Sequence, residues 1–302
     1  MLSSGLVTRR QGIHLPSFSR LWSQNGWVHV RSHLMRPLDM ANPWNRSILF
    51  LAAAAGAVGA YLTVFQDRDL LLAVEAGGAT FLAWALCREL DPDRQTTAIA
   101  VALFGGTWTL LGMDTEILPF AALLVVARIT VETTGRRSLP SDLGAVALGA
   151  TLVSITPLGW VMGFGLAVAI YVDQRMADEP TRAALLAALA AAVGSSVVTS
   201  LGGAFPQTLP TLRPFLTASL GLLAVIAVLR EPVDPVSFVD SRNKRFIRRD
   251  RVHAGRALAG LLVFFGSIVS GEPVLAVVPM ALVVATALAS TELERLHRVS
   301  PP

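Results

Sequence analysis

Apolar runs of about 17 to 19 residues recur along this chain, with only short polar connections between them, and this leaves little choice but packed helices. The first four occupy 47–65, 70–87, 96–112 and 117–134, joined by QDRD, RELDPDR and MDTE. At a rise of about 1.5 Å per residue, each approaches the ~30 Å hydrocarbon core of a bilayer. With 53% hydrophobic and 15% charged residues over 302 positions, the chain is too apolar for an ordinary soluble domain.

The fifth run, 143–172, is the exception. As one helix it would reach about 45 Å, too long for an upright span. Thr156-Pro157-Leu158-Gly159 lies at its centre. A proline followed by glycine either kinks a tilted helix or turns the chain between two short ones. Further runs follow at 182–205, 212–229, 254–270 and 273–290.

Charge decides between a kink and a turn. Arg88 and Arg94 follow the second run, Arg136 and Arg137 the fourth, and six of the ten residues at 242–251 are Lys or Arg. Basic loops are retained on the cytoplasmic side. Only a break near Pro157, giving an even number of intervening crossings, puts all three on one side. The expected fold class is therefore all-α: a polytopic membrane bundle of about ten transmembrane helices in five hairpins, with both termini cytoplasmic. Its expected organisation is a basic N-terminal extension at 1–46, a bundle at 47–291 and a cytoplasmic tail at 292–302.

Residues 1–40 carry five arginines and one acid, Asp39, without the apolar run of a secretory signal. They read as an extension ahead of a start at Met35 or Met40, or as an organellar transit peptide. The expected location is accordingly the plasma (inner) membrane, or an organellar inner membrane in the second case. His29 and His33 have helical metal-pair spacing but no third ligand, so no metal site is assigned. Cys87 is the single cysteine, and no internal disulfide is possible.

The chemistry-bearing residues fall into three groups. Glu75, Arg128 and Glu132 lie inside apolar runs, where ionisable groups are expensive and default to function. Arg128 and Glu132 are one helical turn apart and are expected to pair with each other. Asp91, Asp93 and Asp234 lie in two echoing connections, Arg88-Glu89-Leu90-Asp91-Pro92 and Arg230-Glu231-Pro232-Val233-Asp234-Pro235. Each Arg suits a helix C-terminus and each Asp-Pro step disfavours further helix.

Arg242, Lys244, Arg245, Arg248, Arg249 and Arg251 form the third group, expected as a short interfacial helix that binds anionic lipid headgroups or phosphate. At roughly 1 kcal/mol per cation near an anionic surface, six would contribute on the order of 6 kcal/mol at low salt. The net charge of +4 thus points to lipid, and no nucleic-acid partner is expected. An oligomeric or protein partner is not specified by the sequence.

Ser and Thr in the runs, and the close-packing candidates Gly159, Gly163, Ala183, Ala187, Ala190 and Ala191, are expected to serve helix packing. The chain has no GxSxG, HExxH, CxxC or phosphate-loop pattern. Three functions fit: a permease-like carrier of a small or lipidic solute, a membrane enzyme acting on a lipid-linked phosphate at the cytoplasmic face, or an assembly subunit of a membrane complex. No cofactor is expected except Mg2+ under the enzyme reading, held by the three aspartates.

Overall fold

The structure is a computed structural model that describes residues 34, 38, 40–133, 139–177, 180–202, 214–232, 234–240, 245–269 and 276–299. These belong to one compact unit, His33–Pro302. Residues 1–33, including His29, together with Arg136, Arg137, Arg242 and Lys244, lie outside the described residues.

Among the described residues the chain forms ten α-helices: α1 (Pro43–Gln66), α2 (Leu72–Leu90), α3 (Gln95–Leu110), α4 (Ile117–Val131), α5 (Pro140–Val153), α6 (Gly159–Met176), α7 (Arg182–Gly202), α8 (Pro214–Leu229), α9 (Arg249–Val269) and α10 (Val278–Val299). The helix α1 starts where a start is written in the sequence: the Asn42 side chain accepts from the Trp44 N–H at 3.0 Å and Pro43 occupies the first turn. Asp142 similarly reaches back from the first turn of α5 to the Leu139 N–H at 3.3 Å.

The long run at 143–172 is two helices. Pro157 offers no N–H and disfavours helical geometry at Thr156, so α5 unwinds through turn hydrogen bonds and α6 begins at Gly159. A Cβ on Gly159 would sit 1.6 Å from the Val153 carbonyl oxygen. Only glycine lets the chain fold back this tightly. Consecutive helices consequently alternate in direction throughout.

The ends confirm the alternation. The α2 C-terminus meets the second turn of α9 through Asp91 and Arg256, while the ends of α4 and α6 meet its first turn through Glu132, Asp173 and Arg251. At the other end, Thr109 and Thr115 hydrogen bond across the α3–α4 connection at 3.0 Å, and Glu116 faces the α5–α6 turn at Thr156.

Helices α2, α4, α6 and α9 form the middle of the bundle. Leu86, Leu90, Phe120, Leu123, Ile129, Met162 and Ile170 are fully buried among them. Outside lie α1, α3 and α10 against α2, α5 and α7 against α6, and α8 against α9. Only α1 and α7 are long and apolar enough, among the described residues, to cross a membrane by length and composition. Their mean hydropathies are 2.1 and 2.0, yet just 11% and 22% of those stretches are buried. Phe50, Val64, Phe65, Leu186, Leu189 and Leu201 all point outward.

Several expectations change at this level. Among its described residues the basic segment does not form a separate short helix. Phe238–Asp240 and Arg245–Phe246 form an antiparallel ribbon, β1 and β2, and the α9 helix starts only at Arg249. The ribbon is held because Asp93 accepts from the backbone N–H groups of Val236 at 3.1 Å and Ser237 at 2.8 Å, a tertiary anchor that outweighs local helix preference. On α7 the packed face is Ala184, Ala191, Ser195 and Thr199, whereas Ala183 and Ala190 are exposed. The covered side is the one lined by small residues, while Leu185, Leu186, Leu189, Val193, Val197 and Leu201 are exposed.

Hydroxyl groups behave as expected. Thr80, Thr151, Ser196 and Thr199 bond back to carbonyls four residues earlier, and Ser195 reaches across to the Ala150 carbonyl on α5 at 3.2 Å. Gly163 completes that three-helix contact. A Cβ there would meet Ser154 Oγ at 2.3 Å, Ser195 Oγ at 2.4 Å and the Ala150 oxygen at 2.7 Å. Gly149 on α5 has nothing within 4 Å. Gly163→Ala should therefore destabilise the purified protein by about 1–3 kcal/mol through overpacking, while Gly149→Ala should be neutral or stabilising by up to about 1 kcal/mol. Unfolding midpoints in detergent check the pair; equal effects would refute the packing assignment.

Candidate functional site

One end of the bundle gathers most of the charge, and α9 is its source. Arg251 and Arg256 are five positions apart, so at 3.6 residues per turn they project about 140° apart around the helix. Both are buried. Arg251 pairs with Glu132 at 3.1 Å and with Asp173 at 2.7 Å, and also donates to the Thr130 carbonyl at 3.3 Å. Arg256, on the other side, donates to the Leu90 carbonyl at 2.7 Å and lies 3.8 Å from Asp91.

Asp91 is the C-cap of α2 and is itself buried. Beyond Arg256 it receives the Ser290 hydroxyl of α10 and an ion pair from Arg94 at 3.3 Å. Two residues earlier, Glu89 points toward α4, where Arg128 Nε donates to it at 3.0 Å and the Thr133 hydroxyl occupies its second oxygen. Arg128 also donates to the Leu34 carbonyl at 2.5 Å. Buried charges persist only when paired and hydrogen bonded, and each of these carboxylates is.

The remaining pairs lie on the surface of the same end. Arg249 holds Glu231 at 2.6 Å and Asp234 at 3.7 Å. Arg248 forks onto Asp250 at 2.6 Å and 3.1 Å and donates to the Met176 carbonyl, satisfying the end of α6. That fork holds the Asp250 carboxyl below its usual range. The two echoing connections are thus joined, since Ser237 Oγ donates to the Pro92 carbonyl at 3.3 Å beside the Asp93 cap.

The structure places the sequence-derived candidates as follows. Asp91, Asp93, Asp234, Arg248, Arg249 and Arg251 converge on one end, with Arg128 and Glu132. Arg128 and Glu132 do not pair with each other: α4 stops at Val131 and Glu132 takes a left-handed φ of 57°, which removes it from the helical face. Arg251 cannot meet headgroups because it is buried between two acids, and Arg248 and Arg249 already hold acids. The full six-cation attraction to lipid is therefore not available. Asp91, Asp93 and Asp234 are held respectively by arginines, by backbone N–H groups and by Arg249, and among the described residues no three His, Cys, Asp or Glu side chains group as a metal site.

Glu75 lies at the opposite end. It is in the first turn of α2, lining an open pocket of about 410 Å3 with Arg68, Asp69, Asp114, Thr115 and Glu116. Burial raises the Glu116 carboxyl, with the Thr156 hydroxyl and the Leu158 N–H opposing and Asp114 reinforcing the shift. A second cavity, about 230 Å3, lies at the ionic end between the start of α1, the last turns of α2 and α4, beside Asn45, Trp84, Arg88 and Arg128.

Sequence reading missed Glu89, Asp173, Arg256 and Ser290. Arg256 did carry a signal, being a lone charge inside the apolar run 254–270. The pairing of Glu89 with Arg128 carried none, because it is made between helices. No protein-family model matches the chain, and no curated protein or solved structure matches it either.

Two predictions follow from this chemistry. Arg251→Met strands two buried acids and should cost about 3–5 kcal/mol, whereas Arg249→Met, at a surface pair, should cost less than about 1 kcal/mol; denaturant unfolding of the two variants tests the contrast. Glu116 has a raised folded-state pKa, so its ionised form opposes folding at neutral pH and the penalty fades as pH falls through that pKa. Glu116→Gln should accordingly raise the unfolding midpoint at pH 7.5 more than at pH 5, and a pH-independent effect would contradict the burial assignment.

Proposed function

We propose that the chain is a polytopic integral membrane protein with its ionic end in the cytoplasm, working as a permease-like carrier of a small or lipidic solute. Support for the membrane setting comes from the outward-facing apolar residues of α1, α7 and α8. A core helix of a soluble protein would bury such residues, and contiguous apolar surface of this kind marks a lipid or partner interface. The basic connections and both echoing loops at one end fit retention on the cytoplasmic side. The location that follows is the plasma (inner) membrane, with the organellar inner membrane as the alternative if residues 1–40 act as a transit peptide.

The observation that carries the carrier reading is the placement of the two cavities. They sit at the two ends of the same helix, one around Glu75 and one around Trp84 and Arg88. Between them α2 is packed by Ala76, Ala79, Thr80 and Ala83, all buried, against Gly105 and Gly106 of α3. A thin small-residue plug flanked by a polar vestibule at each end is what alternating access requires: one end closed by ion pairs while the other is open. The enzyme reading keeps one specific support, the convergence of both Arg-Glu/Asp-Pro connections beside the basic segment.

Substituted-cysteine labelling in a Cys87→Ala background tests both parts. With a membrane-impermeant maleimide on intact cells, Leu70→Cys should react and Asp234→Cys should react only after permeabilisation; the reverse pattern would overturn the orientation. Thr80→Cys, midway in the plug, should react slowly with a small hydrophilic thiol reagent in the native protein. Complete protection over hours, with normal reaction after denaturation, would eliminate the carrier.

A further inference from the structure

The cavity at the ionic end is bounded in part by chain that belongs to no helix. Three of its walls are helical: the last turns of α2 from Phe81 to Glu89, the end of α4 at Leu124 and Arg128, and the start of α1. The fourth is Leu38, which precedes α1 and lines the same space of about 230 Å3. Four residues earlier the chain is tied to the far wall, because Arg128 of α4 donates to the Leu34 carbonyl at 2.5 Å. Asn42 caps α1 on the near wall. Leu34 and Leu38 therefore carry the chain across the cavity from α4 to α1.

The crossing is held in two ways. Arg128 Nε donates to Glu89 at 3.0 Å, and the Thr133 hydroxyl fixes the other Glu89 oxygen, so a buried partner orients the guanidinium that meets Leu34. An ionised donor makes the stronger kind of hydrogen bond, and a backbone carbonyl accepts it whatever the side chain at 34. The leucine side chains supply the rest, both half-buried and packed on the main apolar core. Met40, nearer to α1, is 54% exposed and adds no such seat. Segments with little buried apolar surface open first. The helix ends below are joined by buried ion pairs, so this crossing is the part of the ionic end that lifts most easily.

We propose that Leu34 and Leu38 form a strap over the cavity at the ionic end, clipped by Arg128, and that lifting the strap opens this end of the carrier. The gating role rests on the carrier reading; the cover itself does not. The experiment measures alkylation by iodoacetamide, at fixed pH in neutral detergent, of the full-length protein carrying Cys87→Ala and one reporter cysteine. Ala85→Cys places the reporter in the cavity wall. Ala191→Cys, buried on α7 among helices that do not line the cavity, is the control.

Leu34→Ser combined with Leu38→Ser should speed the reaction at Ala85→Cys at least tenfold and leave the rate at Ala191→Cys within twofold. Arg128→Lys keeps a cation beside Glu89 but loses the fork that spans both partners, and should speed the Ala85→Cys reaction at least threefold. If Arg128→Lys lowers the unfolding midpoint, the leucine pair decides alone, since half-buried residues ahead of the first helix can change without unfolding the bundle. An unchanged Ala85→Cys rate in the leucine variant, or an equal rise at Ala191→Cys, would overturn the proposal. Thr80→Cys separates cover from carrier. A strap effect with Thr80→Cys fully protected keeps the cover and overturns the gate, whereas a reactive Thr80→Cys without a strap effect keeps the carrier and overturns the strap.

Discussion

Two guanidinium groups on one helix, Arg251 and Arg256, set the terms for the rest of the bundle. Taking an isolated charge out of water costs several kcal/mol even after relaxation, so a fold that buries both must bring acceptors to both. Arg251 draws in the ends of α4 and α6 through Glu132 and Asp173. Arg256 draws in the end of α2 through Asp91 and the Leu90 carbonyl, and Asp91 in turn holds Ser290 of α10. Five helices are thereby fixed at one level. The net stabilisation from each pair is small, since attraction and desolvation nearly cancel. Its consequence is register: a slide of one helix by a turn would leave a buried charge without a partner, whereas apolar side chains tolerate such slides.

The opposite end is built differently, and the contrast gives the bundle a polarity. There the connections turn through a left-handed Asp67 and a left-handed Gly112, and the carboxylates Asp69, Glu75, Asp114 and Glu116 crowd one open pocket with Arg68. Like charges at that density repel and keep water. Local opening is easiest where buried apolar contacts are few and polar groups face solvent. An end tied by buried ion pairs and an end of crowded carboxylates differ in this respect, and the second is the more easily opened, in keeping with the proposed carrier.

Much of the architecture was legible in the sequence because it depends on local rules. The number of helices and the break at Pro157 follow from run length and the missing N–H, whereas the cap at Asn42, which starts α1 before the apolar run, was not read. Even the alternation of direction followed from where arginines lie. The pairing of charges was not legible, because the helical one-turn rule sees only neighbours on one helix. It joined Arg128 to Glu132, but α4 ends before Glu132, and the real partners, Glu89 and Arg251, are separated by long stretches of chain. The pairing of 238–240 with 245–246 was missed for a related reason: its anchor, Asp93, belongs to a distant connection. On α7 the failure was one of phase. Its large residues, Leu185, Leu189, Val193, Val197 and Leu201, recur every four positions and face outward, so the covered small residues lie on the other side of the helix.

Where the apolar surface lies bears on what surrounds the bundle. In water, the cheapest arrangement of these helices would turn Phe50, Val64, Leu186, Leu189 and Leu222 inward and charges outward. The chain does the reverse, enclosing Glu89, Asp91, Arg251 and Arg256 while leaving those residues exposed. At about 25 cal/mol per Å2 of apolar surface, each large exposed side chain forgoes roughly 1.5–3 kcal/mol that burial from water would supply. In the proposed membrane setting lipid would remove that penalty, since an acyl chain is as apolar as leucine, and close contacts through glycine and small residues would suit it as well. Gly56, Gly59 and Gly77 bring the backbones of α1 and α2 into contact, with a Cβ on Gly59 falling 2.8 Å from the Ala73 Cα. Close backbone approach, outward-facing apolar residues and inward paired charges are what the proposed hydrocarbon surround would favour.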